Sequence, residues 1–252
     1  MPGSTEMITL VGGEKGGSGK STLATNLAAL LTRESSSVIL VDTDRQGTAA
    51  NWASVRRERS ERDPISAITC VQAYGNVRDT LRDLASRYRH VIVDAGGRDS
   101  EELRSAMLAA NLLCVPVRPS QADLWTVEHV DDLVKLASPF NPSLTARVVL
   151  SIAPTNPRIS EASDAREMLA ECEHLKMCET VIRDRKAYRD AMCEGLGVTE
   201  MDDAKAEAEG NRRHGRGFEH GHVRFSHIDA GVHGGFERHV LAGVRAGEGG
   251  IE

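Results

Sequence analysis

Apolar and polar positions along the first 205 residues fall into blocks of two kinds. Apolar runs stand at Met7–Val11, Val38–Val41, Val91–Val93, Leu112–Val117 and Val148–Ile152, with a weaker one at Ile65–Val71. Short runs without polar interruption predict strands covered on both faces. Between them, apolar residues recur three or four apart. Leu23, Leu27, Leu30 and Leu31 predict a helix over Ser21–Thr32, and Val77, Leu81 and Leu84 predict another. Leu103–Ala110, Leu124–Leu136, Ala162–Cys172 and Ala187–Cys193 read as further helices. Strands alternating with helices predict an α/β fold, a mostly parallel twisted sheet with helices on both faces. Ligands of such sheets bind beyond the carboxyl ends of the strands.

The pattern stops after Glu209. Residues Gly210–Glu252 carry 11 of the 23 glycines and 6 of the 9 histidines, with almost no periodicity. Such a segment buries too little apolar area to offset its ordering entropy. It is predicted to be a disordered tail on an ordered domain spanning 1–209. Its histidines, His214, His220, His222, His227, His233 and His239, offer metal binding as an alternative, on loose spacing.

Composition narrows the classes. With 40% hydrophobic and 27% charged residues, the chain reads as soluble and globular. Aromatics at 4% argue against a stacking platform for single-stranded nucleic acid. No run approaches the roughly 20 apolar residues of a membrane span, and the N-terminus does not resemble a signal peptide. The 5 cysteines are scattered, without a C-x-x-C pair, which argues against a disulfide framework or a zinc site. Reduced thiols fit a cytoplasmic chain. The net charge of −6 means that nucleic-acid contact would need a local basic patch.

The strongest chemical signal is Gly12-Gly13-Glu14-Lys15-Gly16-Gly17-Ser18-Gly19-Lys20-Ser21-Thr22, between the first strand and first helix. Glycines let backbone N–H groups wrap an anion, and the helix N-terminus adds positive potential. Lys20 can reach β- and γ-phosphates, and the Ser21 hydroxyl can ligate Mg²⁺. The strict phosphate-loop pattern places its first glycine where Glu14 stands, and a second lysine, Lys15, opens the loop. That is the deviant Walker A motif, and here the chain resembles the ParA/MinD family of P-loop ATPases.

Other segments carry the resemblance onward. Val38–Gly47 is similar to the family's V-D-x-D-P-Q-G segment, with Arg45 at the proline position. His90–Asp94 looks like Walker B, and Ala95-Gly96-Gly97 resembles a γ-phosphate-sensing switch. Val115–Leu124 resembles the I-P-V-x-P-S-x-x-D-L segment of the partition branch, where Asp123 either caps the next helix or serves function. Thr180–Arg189 resembles the R-x-x-Y region of small partition proteins.

The resemblance, from Met7 to about Ala208, implies a P-loop NTPase fold with ATP and Mg²⁺ as cofactors. Nucleotide binding would fall to Lys15, Gly16, Gly17, Ser18, Gly19, Lys20, Ser21 and Thr22. Lys15 would reach the partner subunit's nucleotide in an ATP-dependent homodimer. Asp44 would orient the attacking water, and Ser21, Asp42 and Asp94 would organise Mg²⁺, partly through water. Arg183, Arg185, Lys186 and Arg189 would contact duplex DNA without sequence preference, or form a solvated face paired to Asp184 and Asp190. The implied function is DNA partition, with hydrolysis stimulated by a DNA-bound adaptor, ParB-like or a small centromere-binding protein. The chain would be cytoplasmic and nucleoid-associated, with no membrane partner. Alternatives are a related ATPase positioning a protein cargo on the nucleoid, and a MinD-like membrane-cycling ATPase.

Overall fold

A computed structural model describes residues 6–34, 37–155 and 161–201. The expected boundary after residue 209, and the tail beyond it, lie outside these residues.

The chain alternates strand and helix: β1 (Met7–Val11), α1 (Lys20–Glu34), β2 (Val38–Asp42), α2 (Thr48–Ser60), β3 (Thr69–Gln72), α3 (Arg78–Ala85), β4 (His90–Asp94), α4 (Glu101–Met107), β5 (Leu112–Val117), α5 (Gln121–Ala137), β6 (Thr145–Ala153), α6 (Glu161–Leu169), β7 (Leu175–Arg183) and α7 (Lys186–Cys193). The strands form one sheet in the order β3-β2-β4-β1-β5-β6-β7. Every neighbouring pair is parallel.

Alternation along each strand splits the core in two. Ile8, Leu10, Ile39, Val41, Val91, Val93, Leu113 and Val115 face a cluster completed by residues of α3, α4, α5 and α6. Val11, Val38, Leu40, Ile92, Leu112 and Cys114 face the other side, against α1 and α2. This double burial explains why the central strands are apolar without a break.

Two elements escape the sequence pattern. Helix α2 buries Ala49, Trp52, Ala53 and Arg56. Its buried stripe thus holds two alanines and an arginine, which do not read as an apolar face. β7 is an edge strand with exposed Lys176 and Glu179, and it takes in Thr180–Arg183. That basic segment is therefore the end of a strand followed by a helix. The predicted helix over Leu103–Ala110 begins instead at Glu101, because Ser100 caps it by accepting from the Leu103 N–H at 3.2 Å. The weak strand forms at Thr69–Gln72, later than the run starting at Ile65.

The topology gathers three loops at the carboxyl ends of central strands: β1–α1, β2–α2 and β4–α4. The order around β1 reverses there, which opens a crevice at the sheet's switch point.

Candidate nucleotide-binding site

The β1–α1 loop wraps the start of α1. Lys20 is buried at the helix N-terminus, and its ammonium donates to the Lys15 carbonyl at 2.7 Å. Burial lowers the Lys20 pKa below its ordinary value, and the charges of Asp94 and Asp44 pull it partly back. The switch loop after β4 lies close over this point. A Cβ on Gly97 would stand 2.9 Å from Lys20 Nζ and 3.0 Å from the Gly16 nitrogen, so a side chain here would push on Lys20 and the phosphate loop.

Asp94 ends β4 with its side chain fully buried. Burial pushes its carboxyl up to about 7, opposed by Ser21 and Lys20 and reinforced by Asp42 and Asp44. Ser21 faces this carboxylate, yet neither oxygen completes a hydrogen bond of good geometry. Two buried, unsatisfied carboxylate oxygens beside a serine hydroxyl are hard donors suited to Mg²⁺ and its waters. Among the described residues no three acidic, histidine or cysteine side chains make a ready cage for a metal.

The raised Asp94 value makes a pH prediction. Between about pH 4 and about pH 7 the native state holds this proton more tightly than the unfolded chain does, so stability falls as pH rises through that window. A shift from 3.8 to about 7 is worth at most about 4 kcal/mol. Asp94→Asn is expected to raise the melting temperature of nucleotide-free protein at about pH 8, with the gain vanishing toward about pH 4. A melting temperature lowered at the alkaline end would contradict the burial argument.

Asp42 is also buried, and both its oxygens are taken. Oδ1 accepts from the Asp44 N–H at 3.0 Å, and Oδ2 from the Ala50 N–H at 2.9 Å. Gly47 opens α2 without a side-chain cap. Asp42 therefore supplies the cap from the end of β2 and shapes the turn that presents Asp44. Burial pushes the Asp42 pKa up, and those backbone donors partly offset the shift. Asp44 is half-buried, with its carboxylate 3.5 Å from where a Cβ on Gly96 would stand. Arg45, at the proline position, lays its guanidinium 4.9 Å from the Tyr74 ring centroid.

Lys15 reaches the start of α5. Its ammonium pairs with Asp123 Oδ1 at 3.3 Å and stays about half exposed. Asp123 lies within the first turn of α5, behind Ser120 at the N-cap position, and makes no cap. The Ser120 hydroxyl instead donates to its other oxygen at 2.8 Å. The capping expectation for Asp123 is thus corrected: this buried carboxylate holds Lys15. Glu14 meets His129 Nε2 at 3.2 Å, and the same nitrogen lies 3.5 Å from Asp99 of the switch loop. Nothing in the sequence pattern singled out His129. Ser18 is buried, its hydroxyl donating to the Lys15 carbonyl at 3.3 Å. Thr22 stands in the first turn of α1.

Of the basic residues expected at DNA, Arg183 ends the edge strand β7, and Arg185, Lys186 and Arg189 open and line α7. Arg183 donates to the Pro154 carbonyl at 2.6 Å. Lys186 pairs with Asp190 at 2.6 Å, and Arg189 pairs with Asp184. Arg185 occupies the N-cap position of α7. Acidic neighbours thus sit against Lys186 and Arg189.

Maintenance of carboxysome distribution protein A of Halothiobacillus neapolitanus is 30% identical over 204 residues, spanning 79% of this chain and 89% of that protein. The chromosome-partitioning ATPase Soj of Thermus thermophilus is 31% identical over 163 residues, 54% of this chain and 64% of that protein. A solved ATP complex of a Cyanothece McdA variant shares the fold, with a TM-score of 0.62 at 14% identity, over 82% of this chain and 95% of that one. Residues 9–198 match the CobQ/CobB/MinD/ParA nucleotide binding domain, and the chain belongs to that family.

Proposed function

We propose that this chain is an ATPase that closes as an ATP-sandwiched homodimer and spends hydrolysis on positioning a protein cargo over the nucleoid. The observation that carries the reading is Lys15, a second ammonium on the phosphate loop, about half exposed and paired with Asp123. Lys20 already serves the loop's own nucleotide, so Lys15 acts on the partner's phosphates. ATP and Mg²⁺ are the cofactors. Mg²⁺ supplies charge neutralisation across the phosphates. The loop residues from Gly16 to Thr22 bind the nucleotide, Ser21 and Asp94 hold the cation, and Asp42 supports the turn beside them. Asp44 orients the attacking water, which splits ATP to ADP and phosphate, slowly until an adaptor protein stimulates it.

The carboxysome-distribution relative supports a protein assembly as cargo. DNA partition is the second reading, supported by the Soj relative and by the Val115–Leu124 segment. In both, Arg183, Arg185, Lys186 and Arg189 contact DNA phosphates. Lys186 and Arg189 then exchange Asp190 and Asp184 for phosphate, which makes binding steeply salt-dependent. The chain works in the cytoplasm at the nucleoid. Among the described residues no helix is long and apolar enough to cross a membrane.

Light scattering with ATP tests the proposal. Wild type is expected to double in mass, while Lys15→Ala binds ATP as a monomer and loses turnover and DNA binding together. A Lys15→Ala protein that dimerises and hydrolyses like wild type would overturn the sandwich mechanism. A fluorescent fusion followed in its host separates the readings, tracking a protein compartment in one and a replicon in the other.

A further inference from the structure

The phosphate loop is gripped from outside, at its carbonyl oxygens. The Ser151 hydroxyl donates to the Ser18 carbonyl at 2.5 Å, in a buried contact. Arg118 Nε and Nη2 both donate to the Gly17 carbonyl, at 3.1 and 2.6 Å. Neither donor belongs to the loop: Arg118 follows β5, and Ser151 lies in β6. The two carbonyls belong to consecutive peptide units. In a trans peptide the C=O and N–H point opposite ways. Drawing the Gly17 carbonyl outward turns the Ser18 N–H inward, and drawing the Ser18 carbonyl outward does the same for the Gly19 N–H. Successive inward N–H groups make an anion nest. Gly17 and Gly19 hold φ of 70° and 92°, the left-handed conformations such a nest uses.

Strand β6 is built irregularly where it delivers that hydroxyl. Its register with β7 shifts between Val148 and Leu150, and again between Leu150 and Ala153. Ile152, next to Ser151, has φ of 52° and is the one non-glycine residue with positive φ among the described residues. A β-branched side chain in that region is strained, and it persists only where its surroundings hold it. Bulges of this kind re-aim side chains beside functional sites. The surroundings are visible. Asp184 N–H donates to the Ala153 carbonyl at 2.9 Å, and Arg183 to Pro154, so β7 pins the strand end. The Ile152 side chain meanwhile lies against the loop, 3.7 Å from where a Cβ on Gly19 would stand.

We infer that Ser151, aimed by the strained Ile152, and Arg118 are positioning residues that hold the phosphate loop in its anion-binding form before nucleotide arrives. A loop ordered in advance binds without the entropy loss of ordering. The inference rests on reading this loop as the nucleotide site.

The test uses the full chain and Mg²⁺·ADP, with calorimetric titration and hydrogen exchange of the loop amides in nucleotide-free protein. Ser151→Ala is expected to weaken binding about tenfold and to speed exchange at the loop while the sheet stays protected. Ser151→Thr keeps the hydroxyl and is expected to restore both. Arg118 is exposed, so Arg118→Ala folds normally and decides the matter if Ser151→Ala does not fold. It too is expected to weaken binding and loosen the loop. Binding by Ser151→Ala or Arg118→Ala within about twofold of wild type would overturn the inference. So would faster exchange spread evenly through the sheet. Lys20→Ala separates the two levels. If wild type binds no better than Lys20→Ala, the nucleotide reading falls and this inference with it. If wild type binds, Lys20→Ala does not, and Ser151→Ala and Arg118→Ala match wild type, this inference alone falls.

Discussion

Asp44→Ala is expected to bind ATP with little change yet lose turnover by about a hundredfold or more, the range typical of removing a group that positions or deprotonates a nucleophile. The expectation follows from how the turn is built. Asp42 anchors both ends of the β2–α2 connection through the Asp44 and Ala50 N–H groups. Asp44 therefore projects from a fixed turn, while its own Oδ1 accepts the local Gln46 N–H at 3.0 Å. Its carboxylate sits against Gly96 of the switch loop, on the side where a γ-phosphate would be sensed. Losing the side chain leaves the phosphate loop, Lys20 and Asp94 in place, so binding survives. A phosphate-release assay beside an ATP titration gives the answer. The ATP-bound dimer should accumulate in the mutant. Wild-type release rates would remove Asp44 from the mechanism, and joint loss of binding would make it a structural residue.

The second large effect concerns stability, away from the site. Arg56 is fully buried on α2. Its Nη1 and Nη2 meet the two Glu200 oxygens at 2.7 Å each, its Nε donates to the Ser66 carbonyl at 2.8 Å, and Nη1 also reaches the Gly195 carbonyl at 3.1 Å. Its guanidinium lies 5.3 Å from the Trp52 ring centroid, and Trp52 donates to the Leu196 carbonyl at 3.1 Å. This network fastens the segment after α7 onto α2. Arg56→Ala would leave a buried carboxylate without its partner and a void beside Trp52. Breaking a buried pair in this way costs about 3–5 kcal/mol. Urea denaturation is expected to show that loss, with Glu200→Gln losing less because it keeps hydrogen bonds to the guanidinium. A cost under about 1 kcal/mol for Arg56→Ala would mean that the segment is held by apolar packing alone.

The sequence by itself determined the sheet centre and the phosphate loop. β1, β2, β4 and β5 are covered on both faces, so each had to be a continuous apolar run, and such runs are legible locally. The loop is legible because anion binding demands glycines and a lysine at fixed spacing beside a strand and a helix. Asp42, Asp44 and Asp94 were legible as carboxylates ending strands. Their separate environments were not. Only the packed structure takes up both oxygens of Asp42 with backbone N–H groups, leaves those of Asp94 buried and unsatisfied, and leaves Asp44 half-buried at the switch loop. Helix α2 and strand β7 were hidden for a related reason. A buried arginine becomes acceptable through Glu200, far along the chain, and an edge strand with polar positions is completed by β6. The partner of Lys15, Asp123, likewise came only from tertiary structure, whereas Asp190 and Asp184, close along the chain to Lys186 and Arg189, were legible as their partners. Periodicity reports how a segment meets solvent or core, averaged over a face. It carries no information on which distant charge or carbonyl a given side chain will meet, and those encounters set the electrostatics of this site.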